Sequence, residues 1–435
     1  MMEDVAVGLL GIGTVGSGVV RLLHEQGDRI ARRAGKRLIL KSAAVRDLSK
    51  SRNAPLQDTR VTTDPRRIID DPEISVVIET MGGNDPALGL ILDALASGKD
   101  VVTANKALLA EHGPLVFAQA RKYGRAVAFE ASVGGGIPIV HALGVSLAAN
   151  QIQSLSAIVN GTCNFILTSM TRDGLPYETA LRQAQELGYA EADPTMDVDG
   201  TDTAHKLAIL AQLAFGASVT IDQIPRSGID TLQLADIKYA AELGYTLKLL
   251  ALARLSEAGL ELRVAPALVK QGTPLADVRG PYNAIRVVGD AVGDTLFYGR
   301  GAGMMPTASA IVGDLIDVVI GRAGLTARAL NLWLESAAPP VLAPPAAVRN
   351  RHYLRFTIAD RPGVIARIAK VLGDHAISIA SVIQHDPGDD AAPDGPVPLV
   401  IMTHSAAESA MIAALDEIDR LDIVRVPSVC MRVEE

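Results

Sequence analysis

The segment GIGTVG at residues 11–16 constrains this chain more than any other. It follows a short apolar run, residues 5–10, and opens a stretch at 15–26 with helical spacing of apolar residues. Strand, glycine turn and helix in that order form the context in which such a turn binds a dinucleotide. Gly11 allows the tight turn, Gly13 lets the backbone approach a pyrophosphate, and Gly16 admits close helix–strand packing. Thr14 and Val15 belong to the helix start, whose free N–H groups suit phosphate. The bare alternative is a glycine turn without a ligand, and the flanking elements weigh against it. The usual companion of this motif is an acid at the end of the second strand, bonded to the ribose 2′-hydroxyl. Here the strand at 38–45 runs into Arg46, with Lys50 and Arg52 close behind. A cation there suits a 2′-phosphate, hence NADP, while Asp47 beside it leaves NAD open.

Further strands are expected at 76–79, 100–103 and 126–130. Their alternation with helical stretches predicts an α/β fold with a doubly wound parallel sheet of the Rossmann type over residues 1–135. From 136 to 306 the pattern changes. Helical stretches at 164–172, 177–187, 201–215 and 235–255, with strands at 260–265 and 284–290, read as an α+β domain for catalysis and dimerisation. A long helix from 307, within 307–335, is expected to return to the first domain. Residues 337–347 (AAPPVLAPPAA) carry four prolines and no charge, so 337–350 reads as a semi-rigid linker. Beyond it, 351–435 follows the order βαββαβ, a ferredoxin-like module. Such a module buries its own core, so a chain ending near Pro345 is expected to stay folded and active.

The net charge is −8, which excludes nucleic acid as a main partner because phosphate binding needs a basic face. The two cysteines, Cys163 and Cys430, have no metal-ligand spacing and suggest no disulfide framework, as in a reducing compartment. With no signal-peptide pattern and no apolar run of 18 residues, no membrane is expected and the cytoplasm is the expected location. Of 41 basic residues, 30 are Arg and 11 are Lys, which makes a lysine in an apolar setting conspicuous.

Three segments could carry chemistry. Thr103-Ala104-Asn105-Lys106 ends a predicted strand, where open α/β sheets bind ligands. In Glu130-Ala-Ser-Val133-Gly-Gly135-Gly-Ile137-Pro138, glycines free the backbone, so that one carboxylate and converging carbonyls form an all-oxygen site for a hard cation; alone, the segment reads as a hinge. The stretch 191–206 places Asp202 and Lys206 four residues apart on one helical face. The helix continues as LAILAQLAFG and must be buried, so Lys206 needs a carboxylate partner or a lowered pKa. The pair is either structural or part of a polar cleft in which Glu191 and Asp202 hold a substrate and a lysine moves a proton. The loop Gly299-Arg-Gly301-Ala-Gly303 offers backbone to a cofactor.

Over about residues 4–335 the chain resembles the homoserine dehydrogenases. The resemblance rests on GIGTVG (11–16), TANK (103–106), EASVGGGIP (130–138), NGTCNFI (160–166), LGYAEADPTMDVDGTDTAHK (187–206) and GRGAG (299–303), in the family's order. It implies reversible NAD(P)H-dependent reduction of L-aspartate 4-semialdehyde to L-homoserine, a step toward threonine, methionine and isoleucine. By that match Glu191, Asp202 and Asp197 bind the amino acid, and Lys206 and Lys106 are the acid/base pair, with spacing silent on which donates the proton. Gly188, Glu191 and Gly303 lie near the nicotinamide, with Thr103 and Lys106 also on the cofactor side. Glu130 and the backbones of Val133, Gly135 and Ile137 hold a monovalent cation, typically sodium. With no kinase domain before it, a monofunctional enzyme is expected.

The tail resembles an ACT domain, through Asp360-Arg-Pro-Gly363-Val364 and Ile377-Ser-Ile379. That implies a homo-oligomer, at least a dimer, binding a small amino acid such as threonine, or a dimerisation module without a ligand. Two rival readings compete with this one. A 2-hydroxyacid dehydrogenase with an ACT tail needs a catalytic His, and only His205 lies in the stretch, on a different helix face from Lys206. An amino-acid sensor has no need of paired lysines.

Overall fold

The computed structural model describes residues 2–334, 341–385 and 395–434. The N-terminal region builds a six-stranded sheet in the order Arg60–Thr62, Arg37–Ala44, Asp4–Leu10, Ile74–Glu79, Asp100–Thr103, Val127–Ala128. All its pairings are parallel. The strand order reverses at Asp4–Leu10 and Ile74–Glu79, which leaves a crevice beyond their carboxyl ends, the place where such sheets bind ligands. These strands are apolar on both faces because helices cover both. The helix Met304–Val319 closes one face: Ala308, Ile311 and Leu315 share a core with Val7, Leu9 and Val19. It crosses Thr14–Ala34 at Gly18, where a Cβ would lie 2.8 Å from the Met304 carbonyl oxygen and 2.9 Å from the Ala308 Cβ.

The other strands form one ten-stranded sheet. Gly293–Arg300, Tyr282–Gly289, Ile152–Ile158, Tyr245–Ser256 and Gly259–Lys270 pair antiparallel in that order. The helices Gly161–Asp173 and Thr201–Phe215 pack on this half. The tail supplies the rest. Val424–Glu434 adds parallel to Gly259–Lys270, with Arg432, Val433 and Glu434 opposite Ala267, Leu268 and Val269. Arg349–Ala359, Pro396–Thr403 and Ile379–Ile383 follow antiparallel, the strand order of a ferredoxin-like βαββαβ unit, and the two-residue strand Ala406–Ala407, the tenth, pairs with the start of Arg349–Ala359.

One expectation changes. Residues 235–255 are not one helix. A helix Leu234–Glu242 ends before Gly244 (φ 83°), and Tyr245–Ser256 is a strand. Leu247, Leu249 and Ala251 face one core while Leu250 and Leu252 face another, so the strand lacks the polar alternation that would mark it. Its Leu, Ala and Lys are helix formers, and pairing with Gly259–Lys270 along its length overrides that preference.

The tail buries a core of its own, with Leu354, Phe356 and Ile368 among its members, and it is also joined to the catalytic sheet. The strand ladder runs through it, and ionic contacts bind the junction. Arg355 holds Asp236 in a two-pronged pair at 2.6 and 3.0 Å, and the Tyr353 hydroxyl donates to the same carboxylate at 3.1 Å. Glu408 meets Arg263 at 2.8 Å and Arg432 at 3.1 Å, and Arg432 also pairs with Glu261. The described end of the proline-rich stretch is tied down as well: Leu260 N–H donates to the Val341 carbonyl at 2.8 Å, and Ala343 N–H to that of Leu260 at 3.0 Å. Residues 337–340 of that stretch lie outside the described residues, as do 388–394 of the stretch 388–395 (GDDAAPDG), whose polar composition reads as an exposed hairpin loop. Local periodicity carries no information on such long-range pairing. No single helix among the described residues is long and apolar enough to cross a membrane.

Candidate active site

The glycine turn sits at the head of the crevice. Gly11 has φ 98°, a left-handed conformation that needs glycine, and its N–H donates to the Ala44 carbonyl at 2.9 Å. A Cβ on Gly16 would overlap the Gly11 carbonyl, so Gly16 shapes the turn itself. Gly13 precedes the helix Thr14–Ala34 with open space beside it. No acid occupies the first helical turn, so the uncapped N–H groups of an exposed Thr14 and a half-buried Val15 remain available to an anion. Arg46 is exposed just past the strand Arg37–Ala44. Beside it Asp47 accepts from Ser49 N–H and Oγ, and Arg52 donates to the carbonyls of Asp47 and Lys50.

The chemical centre is built around Asp202, which is buried at the start of the helix Thr201–Phe215. Lys106 opens the helix Lys106–Tyr123, capped by Asn105. Its Nζ lies 2.6 Å from Asp202 Oδ1. Lys206, one helical turn along, places Nζ 2.6 Å from Asp202 Oδ2 and 2.7 Å from the Val159 carbonyl. One carboxylate therefore holds two ammonium groups, one from each domain. Burial alone would raise the Asp202 carboxyl, but Lys206 and Lys106 overcome it and hold it below the usual carboxylate range. The lysines diverge. Burial pushes Lys206 below its usual 10.5 against the pull of Asp202. Asp202 pushes Lys106, which is more exposed, above it. Asp197 is half-buried and raised, by burial and then by the charge of Asp202.

Asn160 joins these acids and was not among the residues the sequence singled out. Its amide donates to Asp197 Oδ1 at 2.8 Å and Asp202 Oδ2 at 2.9 Å, and its oxygen caps the helix Gly161–Asp173 by accepting from Cys163 N–H. The only signal was its place at the head of the NGTCNFI motif. Glu191 is exposed at the rim, with its charge felt by Lys106. Gly188 lies in the same exposed loop. Gly303 precedes Met304–Val319 with nothing but its own Pro306 near it. Thr103 is fully buried, with its hydroxyl engaged by Glu79 and by Asn105 N–H.

Glu130 lies apart from this cluster. Its carboxylate accepts Val140 N–H at 2.9 Å and His141 N–H at 2.8 Å. Burial raises it to about 7. The Ile137 carbonyl accepts from Ile139 N–H, and the glycine loop abuts the 299–303 loop through Gly136 N–H to the Arg300 carbonyl. Val133 is buried, and Gly135 backs onto Gly301. Among the described residues no group of three or more His, Cys, Asp or Glu side chains is arranged to hold a metal ion, so a cation here would depend on backbone carbonyls. The hydrogen bonds to this carboxylate come from N–H groups, and the charges of Asp314 and Asp317 lie close to it, a setting that fits a cation as counter-charge.

A parallel sheet with a dinucleotide turn, two lysines sharing a buried carboxylate at its crevice, and a ferredoxin-like tail define an NAD(P)-dependent oxidoreductase with a C-terminal ACT domain. Comparison with known proteins agrees. The families described as "Homoserine dehydrogenase, NAD binding domain", "Homoserine dehydrogenase" and "ACT domain" match residues 11–130, 138–316 and 352–422. The homoserine dehydrogenase of Pseudomonas aeruginosa is 44% identical, covering 100% of both chains, and that of Bacillus subtilis is 39% identical, covering 100% of this chain and 99% of the other. The solved homoserine dehydrogenase from Thiobacillus denitrificans superposes with a TM-score of 0.92 at 43% identity, covering 100% of this chain and 99% of that one. A hyperthermophilic archaeal homoserine dehydrogenase in complex with NADPH has a TM-score of 0.62 at 25% identity, covering 73% and 98%. The chain belongs to the homoserine dehydrogenase family.

Proposed function

We propose that the Asp202–Lys106–Lys206 cluster interconverts L-aspartate 4-semialdehyde and L-homoserine, with NADP used at least as well as NAD. The observation that carries this reading is the pair of lysines, Lys106 and Lys206, each 2.6 Å from an oxygen of one buried carboxylate, Asp202. The bound nicotinamide supplies or takes the hydride at the substrate's C4. The rest falls to this chain. Lys206 uses two of its three N–H bonds on Asp202 and Val159, so the third is left for the substrate oxygen. With its pKa lowered, it is the better donor of a proton to the forming alkoxide and, when neutral, the better acceptor from the hydroxyl. Lys106, held as ammonium, stabilises the developing negative charge. Glu191 and Asp197 supply carboxylates for the substrate's amino group.

The helix start at Gly13, Thr14 and Val15 would hold the pyrophosphate and Arg46 a 2′-phosphate, and Gly188 and Gly303 would offer backbone at the nicotinamide end. Glu130 with the carbonyls of Val133, Gly135 and Ile137 would hold sodium and fix the hinge between the domains. The ACT domain suits a small amino acid, threonine first, at a contact between copies in a cytoplasmic homo-oligomer of at least two chains. The test is Lys206→Ala. Its kcat should fall by about 10²–10⁴-fold, with NADPH binding retained in a fluorescence titration. A near-normal kcat removes Lys206 from the chemistry.

A further inference from the structure

Glu79 ends the strand Ile74–Glu79 at the crevice, and the reaction as proposed does not use it. It is fully buried and, among the described residues, forms no ion pair. An uncompensated buried carboxylate is costly and needs hydrogen-bond donors on every side. Glu79 has three. Oε1 accepts Met81 N–H at 2.6 Å and Gly82 N–H at 3.2 Å, and Oε2 accepts the Thr103 hydroxyl at 2.6 Å. Each oxygen leads to a different part of the site. From Oε1, the 80–83 loop reaches the dinucleotide turn, because Thr80 Oγ1 donates to the Gly11 carbonyl at 2.8 Å. From Oε2, Thr103 accepts Asn105 N–H at 3.0 Å, and Asn105 caps the helix that begins with Lys106. Asn105 Nδ2 closes the circuit on the Gly83 carbonyl at 2.6 Å.

We propose that Glu79 is a positioning residue that fixes Lys106 in register with the dinucleotide turn, and so with the reacting carbon of the cofactor. This rests on the role given to Lys106. The account concerns shape rather than charge, so an amide should serve in its place: the Gln oxygen can accept the two backbone N–H groups while its NH₂ donates to Thr103.

The test compares Glu79→Ala, Glu79→Gln and Thr103→Val, reading kcat, the NADPH dissociation constant by fluorescence titration, and the thermal midpoint. Misplacing a reacting group by about 1 Å can cost roughly 10²-fold, so Glu79→Ala should lose about that in kcat and bind NADPH several-fold more weakly. Thr103→Val, which cuts only the branch to Lys106, should show a similar kcat loss, and Glu79→Gln should recover most of kcat and all of the NADPH affinity. A Glu79→Ala enzyme with kcat within about twofold of wild type overturns the proposal, as does a Glu79→Gln enzyme as slow as the alanine variant. A lower thermal midpoint with unchanged kcat in the folded fraction of all three would make Glu79 purely structural and also overturn it. Should Lys106→Ala keep normal kcat, the reading of Lys106 fails; the NADPH response of Glu79→Ala still reports on the branch to Gly11.

Discussion

Among the described residues, buried or half-buried carboxylates gather cations in the cleft and at the tail junction, and the choice of cation separates the two. In the cleft Asp202 holds two lysines, Lys106 and Lys206. At the junction of the catalytic sheet and the ACT tail, Asp236 holds Arg355, and Glu408 holds Arg263 and Arg432. The chain spends 30 Arg against 11 Lys, yet the cleft uses the rarer residue. Arginine stays charged in proteins and grips a carboxylate with a planar fork, whereas a buried lysine shifts its pKa and can move a proton. On the proposed reading, the junction is built to stay shut and the cleft to exchange protons.

That contrast can be broken in steps. The largest effect is expected from ending the chain near Pro345. This strips Val424–Glu434 from the edge of Gly259–Lys270 and removes Arg355 from Asp236. A domain's net stability is only about 5–15 kcal/mol, so the truncated chain should be insoluble or lack a cooperative unfolding transition. A soluble truncate with normal kcat would restore the picture of an independent tail. Next, Arg355→Ala leaves a buried carboxylate without its cation. It should cost about 3–5 kcal/mol in denaturant unfolding, with Arg355→Lys recovering part of this; a loss under about 1 kcal/mol would show that Asp236 finds water or another donor.

The smallest effect is acid lability at Glu408. Burial would raise its carboxyl, but His352, Arg432 and Arg263 bring it down from 4.5 to about 2. A depressed folded pKa gives stability that is fully present above the unfolded value of about 4.5 and lost as pH falls toward 2. At about 1.36 kcal/mol per unit this is about 3 kcal/mol. The difference in unfolding free energy between wild type and Glu408→Gln should therefore shrink from pH 5 to pH 3, and a constant difference would contradict it.

The two regions also differed in what their sequences disclosed. The Asp202–Lys206 pair was legible because four-residue spacing on an apolar helix is a local pattern, and the glycine turn because its flanking strand and helix are contiguous with it. Lys106 was suspect only from its place after a strand; its bond to Asp202 spans two domains and leaves no local trace. Asn160 and Glu79 act by joining segments far apart in sequence. The junction was illegible for the same reason: the ACT unit reads as self-contained because its own alternation is complete, while the ladder between Arg432 and Ala267 depends on an edge that only the assembled sheet presents. Gly18 escaped notice because its reason for being glycine is the distant helix Met304–Val319.

The central claim is that the cleft needs a lysine and not merely a positive charge at residue 206. The most direct measurement is kcat of Lys206→Arg against wild type from pH 6 to 10, in both reaction directions. In wild type the reductive rate should fall, and the oxidative rate rise, through an apparent pKa below the ordinary lysine value of 10.5, because burial lowers Lys206. The arginine variant should bind NADPH normally yet stay about 10²-fold or more below wild type at every pH. An arginine variant with near-normal kcat would mean that charge alone suffices, and would contradict the account.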